Sequence, residues 1–134
     1  MQHGDAKILN ELIRQRIQAA EEDLETAESN LREGHYRAAN DRAYHCICHV
    51  ITAAFVLDNI RYENEREILL IFNKEYIENS IFSRELGRRA EKAKQICNEF
   101  EYHDLYAATK EQALEQIDTA EKVMQAVKYY LHIG

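Results

Sequence analysis

A chain of 134 residues is about one domain and can bury a core without disulfide or metal staples. With 24 acidic against 17 basic side chains, its formal charge of −7 argues against a protein that coats nucleic acid through a general cationic surface, so any contact with RNA must be local. No proline and only four glycines, in a background rich in good helix formers, predict an all-α fold.

The N-terminus carries no charged head followed by an apolar signal core, and no apolar run approaches the roughly 20 residues that span a bilayer. A cytoplasmic protein without membrane contact is expected. The three cysteines fall inside helical segments, which predicts reduced thiols and no disulfide.

In chain order, Leu9, Leu12, Ile13, Ile17, Ala20, Leu24, Ala27 and Leu31 recur at three- and four-residue steps and predict a helix over residues 5–33, stopped by Gly34. Its charged positions, Glu21-Glu22-Asp23 with Arg14 and Arg16, read as solvated surface. The second helix, over residues 36–57, begins amphipathic and becomes apolar almost all round, as the buried central helix of a bundle does; Asp58-Asn59 is its exit turn. A short third helix fits residues 65–73. The less regular stretch 74–82 is expected to pack a connection through Tyr76, Ile77, Ile81 and Phe82.

Ser83 is a candidate N-cap for a fourth helix reaching residue 100, with Leu86, Ala90, Ala93, Ile96 and Phe100 inward. The last helix opens on Thr109-Lys110-Glu111-Gln112, which has capping-box spacing, and continues with Ala113, Ile117, Ala120, Met124, Val127 and Leu131. Four long helices and one short one joined by short loops predict a single-domain antiparallel four-helix bundle with an additional short helix over residues 1–134.

Within the second helix, His45-Cys46-Ile47-Cys48-His49 has metal-ligand residue types. Cys46 and Cys48 lie about 200° apart around a helix, so they cannot face one ion, and no metal and no cofactor is expected. Arg42 and His49 share a face about 10 Å apart along the axis. Arg42 is read as paired to an acidic residue and Tyr44 as reaching a buried partner. Arg84, Arg88, Arg89, Lys92 and Lys94 form the densest basic patch and are a candidate surface for an RNA backbone or an acidic partner, with Glu85 to Arg89 an expected i to i+4 ion pair.

Three segments resemble the HEPN domain family, in the subgroup associated with minimal nucleotidyltransferases. They are Ala38-Ala39-Asn40-Asp41-Arg42-Ala43-Tyr44, then Ile71-Phe72-Asn73-Lys74-Glu75-Tyr76-Ile77 with Arg84-Glu85-Leu86-Gly87-Arg88, then Asn98-Glu99-Phe100-Glu101-Tyr102-His103-Asp104. The family-motif positions carried by the resemblance are Arg42, Tyr44, Tyr102 and Asp104. Ribonuclease members of the family place an Arg, then a polar residue, and a His four to six positions later at the junction before the final helix, an acid–base imidazole beside a cation that holds phosphate. Here the junction has Cys97 where Arg would stand, followed by Asn98 and His103. A neutral thiol does not replace a guanidinium on phosphate.

The resemblance therefore implies a helical module that binds a partner protein or RNA, in a toxin–antitoxin or nucleotidyltransferase pair, with a degenerate ribonuclease motif. The alternatives are a metal-independent ribonuclease homodimer using His103 and Asn98, with Lys94 or Arg88 as surrogate cation, and a purely structural helical dimer. The sequence lacks a glycine-rich phosphate loop and a transferase strand, so a nucleotidyltransferase would have to be a partner. A homodimer is implied by the family, with Met124, Tyr129 and Tyr130 as candidate interface residues.

Overall fold

A computed structural model describes residues 3–102 and 107–133, with the backbone alone for 3–5 and 101–102. All regular elements among the described residues are helical: α1 His3–Arg32, α2 Tyr36–Leu57, α3 Arg66–Phe72, α4 Arg84–Tyr102 and α5 Lys110–Tyr130. α1 ends as its glycine predicts, with Gly34 at φ +80° and the His35 N–H donating back to Asn30 O at 2.8 Å. The α5 capping box forms, Gln112 N–H donating to Thr109 Oγ1 at 3.1 Å and Thr109 N–H to Gln112 Oε1 at 3.0 Å. Ser83 Oγ accepts from the Leu86 N–H at 3.1 Å and caps α4.

α2 is the core. Ala43, Cys46, Ile47, Val50, Ile51, Ala53, Ala54 and Phe55 are all buried, packed by α1 through Ile13, Ile17, Ala20 and Ala27 and by α5 through Ala113, Ile117, Ala120, Val123 and Val127. Alanines at the α1–α2 contact let the two backbones approach closely, which is why the longest helix pairs with the central one. α4 closes a further side with Leu86, Ala90, Ala93, Ile96 and Phe100, all buried.

The irregular stretch after α3 is a π-turn, Asn73–Ile77, in which the Glu78 N–H donates to Asn73 O at 2.8 Å. The wider turn brings Tyr76 fully into the core. Its ring joins Phe55, Phe72, Phe82 and Tyr130 in a cluster with neighbouring centroids 5.6 to 6.0 Å apart. Ile81, expected to pack, is instead 43% exposed: Ser80 at φ 61° reverses the chain and turns Phe82 inward in its place. Gly87 lets α4 seat on this turn, since a methyl there would come within 3.1 Å of Asn73 Oδ1 and Ile77 Cγ1.

Three expectations are corrected. Met124 is buried in the α5 seam and is not an exposed interface residue; of its companions Tyr129 is exposed and Tyr130 donates to Asp58 Oδ2 at 2.8 Å. Arg89 reaches across to α5, donating to Asp118 Oδ2 at 2.7 Å and Thr119 Oγ1 at 3.0 Å, because the α4–α5 spacing offers a better acceptor set than Glu85 on its own helix. Asp23 is not solvated surface but buried, at 6% exposure.

Tyr76 OH donates to the same Asp58 oxygen as Tyr130, at 2.7 Å, so one carboxylate at the α2 exit ties the π-turn to α5. Asp58→Ala is expected to leave the Tyr76 hydroxyl unpaired and destabilise the fold by about 1–3 kcal/mol, against less than about 1 kcal/mol for Tyr130→Phe, in urea titrations. Equal effects of the two substitutions would contradict this role.

Candidate functional site

Packing α1 and α5 against α2 leaves one strip of α2 uncovered by them, and α3 and α4 border it with an open cleft of about 780 Å³. α2 contributes Arg37, Asp41, Tyr44 and His45; α3 and the residue before it contribute Glu65, Arg66 and Leu70; α4 contributes Lys94, Cys97 and Asn98. Next along α2 lies a cavity of about 190 Å³ lined by His45, Cys48, His49, Thr52, Tyr62, Glu65 and Ile68. His45 and Glu65 line both, so the two form one groove running along α2.

The junction residues meet this groove. Cys97 and Asn98 line the cleft, and Cys97 Sγ donates weakly to Asn40 O at 3.8 Å. Burial pushes the Cys97 thiol well above its ordinary range, with the Asp41 carboxylate adding to the effect, so it is neutral and supplies neither charge nor nucleophile. The expected His103 and the family-motif residue Asp104 lie outside the described residues, as does the side chain of Tyr102.

Cations reach this cleft from three helices. Arg37, Arg66 and Lys94, from three different helices, line the cleft, and none has a carboxylate within ion-pair distance among the described residues. Arg37 lies over the Phe100 ring, 5.9 Å from its centroid. The basic patch read from the sequence divides. Lys94 faces the cleft, Lys92 pairs with Glu115 Oε1 at 3.0 Å and Arg89 with Asp118, while Arg84 and Arg88 are exposed. Lys122, hydrogen-bonded to Asp118, and Arg89 hold that carboxyl below its usual range.

Arg42 is paired to an acidic residue, as expected, and its seven-residue spacing from His49 brings both side chains to the same carboxylate, which the sequence did not suggest. Both reach the buried Asp23 of α1, Arg42 Nη1 at 3.2 Å from Oδ1 and His49 Nδ1 at 2.5 Å from Oδ2. An ionised carboxylate only accepts, so His49 Nδ1 carries the hydrogen and, in the neutral ring, Nε2 carries the free lone pair. The missed signal was Asp23's register: three residues after Ala20 and four before Ala27, it stands inside the apolar stripe of α1.

Tyr44 lines the cleft one helical turn before the buried Cys48 on α2, and the two groups interact. Burial pushes the Tyr44 hydroxyl well above its ordinary value and the Cys46 and Cys48 thiols up to about 12. Among the described residues no group of three or more His, Cys, Asp or Glu could hold a metal ion.

These thiols make stability fall in alkali. The unfolded chain releases their protons near pH 9.0 while the folded chain holds them to about 12, so the folded state binds more protons across that window and loses stability as pH rises through it. Under reducing conditions the free energy of unfolding is expected to drop from pH 9 towards 12 by up to about 1.4 kcal/mol per unit for each thiol. A flat urea midpoint between pH 8.5 and 10.5 would contradict it.

The comparisons agree with this architecture. No curated protein matches the chain. The crystal structure of an archaeal HEPN homologue superposes with a TM-score of 0.72 over 88% of this chain and 96% of that one, at 20% sequence identity, which is a likeness of fold. Among the described residues no helix is long and apolar enough to cross a membrane. The family model described as HEPN domain matches residues 13–130, nearly the whole bundle, and the chain belongs to the HEPN family.

Proposed function

We propose that this HEPN domain binds single-stranded RNA in the groove along α2. The observation that carries this reading is the meeting of Arg37, Arg66 and Lys94, three cations without carboxylate partners among the described residues, in one cleft of a chain whose overall charge is −7. In that cleft they outnumber the carboxylates, Asp41 and Glu65, and Asn98 adds a neutral amide that both donates and accepts. Phosphates bind the cations, and the local excess of positive charge confines contact to the groove. Cys97 leaves the family's ribonuclease junction without its cation, so the junction itself is degenerate.

The protein partner in this reading is a second copy of the chain. Leu70, 66% exposed on the rim of the cleft, is the apolar residue such a copy would cover, placing the interface beside the RNA groove. A minimal nucleotidyltransferase or a toxin–antitoxin partner, implied by the subgroup resemblance, would use the same module.

Fluorescence anisotropy with a labelled single-stranded RNA decides the reading. The combined Arg37→Ala, Arg66→Ala and Lys94→Ala variant is expected to lose at least about tenfold in affinity, and the slope of log affinity against log salt to shrink by about 0.7 for each cation removed. Unchanged binding in that variant, with loss in Arg84→Ala with Arg88→Ala, would move the interface to the outer stripe of α4.

A further inference from the structure

We infer that the cavity of about 190 Å³ beside the cleft is a base pocket that selects guanine in the bound strand; this rests on the RNA-binding reading and names the sequence it prefers. The cavity adjoins the cleft at His45 and Glu65, which line both, and Arg66, the residue after Glu65, lines the cleft. A phosphate held at Arg66 therefore carries its base to the mouth of the cavity, and single-stranded RNA leaves the Watson–Crick edge of that base unpaired. Ile68, 4% exposed, and the Tyr62 ring, packed against Phe55 at a centroid distance of 5.9 Å, give the cavity apolar walls suited to the faces of a base.

Three polar groups on those walls fix which base fits. Glu65 brings a carboxylate, whose two oxygens accept; its Oε1 stands 3.9 Å from His45 Nδ1, outside hydrogen-bond reach, and its side chain is half exposed. Thr52 Oγ1 donates its hydrogen to His49 O at 2.7 Å and keeps its lone pairs as acceptors. Tyr62 OH is engaged the other way: it accepts from Arg16 Nη1 at 3.1 Å, which leaves its own hydrogen to give. Acceptors beside one hydroxyl donor complement guanine, whose N1–H and 2-amino group are adjacent donors with the O6 acceptor next to them. Both carboxylate oxygens are then met. Adenine and cytosine offer one amino group beside a bare ring nitrogen that would face the carboxylate with a lone pair, and uracil offers one N–H between two carbonyls.

Glu65 sets specificity and holds no phosphate. Its charge repels the backbone that Arg37, Arg66 and Lys94 attract, so it adds affinity only when a base with two donors lies against it. Removing that charge raises affinity for strands without guanine and lowers it for strands with guanine. Neither a general loss of fold nor a loss of positive charge produces that opposition of sign. Asp41, the other carboxylate of the cleft, does not line the cavity, so substitution separates the two.

The test uses the full chain and fluorescence anisotropy with labelled oligouridylates of one length, either all uridine or with one central guanine, inosine, adenine or cytosine, each strand checked on a gel for integrity after titration. Wild type is expected to bind the guanine strand about 5- to 150-fold more tightly than the all-uridine strand, the range of one bidentate base contact. Inosine, which lacks the 2-amino group, should lose most of that gain, and adenine and cytosine should stay near uridine. Glu65→Gln should weaken the guanine strand and tighten the all-uridine strand until the two converge. Tyr62→Phe, which keeps the ring against Phe55, should lose about two- to tenfold for guanine alone. Arg37→Ala with Lys94→Ala should weaken every strand and leave the guanine preference in place. Equal affinity for all strands in wild type, or preference for another base, overturns the proposal and leaves the RNA-binding reading standing. Guanine preference that survives Glu65→Gln and vanishes in Asp41→Asn moves base recognition into the cleft and also overturns it. Failure to bind any strand overturns both readings.

Discussion

The burial of α2 is the constraint on which the molecule depends. A helix with Ala43, Cys46, Ile47, Val50, Ile51, Ala53, Ala54 and Phe55 all out of water has to be covered on several sides, and α1 and α5 supply most of that cover. What they leave uncovered is a strip through Arg37, Asp41, Tyr44, His45, His49 and Thr52, whose spacings of three, four and one follow the helical repeat. The groove is therefore a consequence of the core. α3 and α4 give it walls, and the π-turn after α3, locked by Tyr76 and seated against Gly87, fixes where those walls stand.

The Asp23 cluster sits on the side of that strip facing α1. A carboxylate 6% exposed is costly without partners, and the loss of one partner from a buried charge commonly costs about 3–5 kcal/mol; here both partners, Arg42 and His49, remain half in solvent, which lowers the figure. The arrangement ties α1 to α2 through polar atoms in a seam otherwise built from alanine and isoleucine. It also decides how the His49 ring is turned, so a contact that holds two helices together orients a side chain lining the groove.

Much of the fold was legible because it is written in periodicity and caps. The α2 limits, the Gly34 stop, the Ser83 cap and the Thr109–Gln112 box follow from local rules that tertiary packing did not override. Ile81 escaped because a single residue in the left-handed region, Ser80, inverts the direction of the next side chain, and nothing in a serine announces that. The site was legible only in part. Cys97 and Asn98 were singled out by the resemblance and Lys94 by the basic patch of α4, whereas Arg37 and Arg66 come from helices far apart in sequence and their meeting is a fact of packing. Asp23 was visible in principle, as one carboxylate in an apolar register; its run of acidic neighbours, Glu21 and Glu22, made it look like surface.

In the proposed reading the functional face of this HEPN domain is the α2 strip with its α3 and α4 walls. Imidazole and backbone NMR shifts recorded while a non-cleavable oligonucleotide is titrated into the labelled protein test it most directly. The largest changes are expected at Tyr44, His45, His49, Arg66 and Asn98. Changes confined to the outer faces of α4 and α5, with the two imidazoles unmoved, would contradict it.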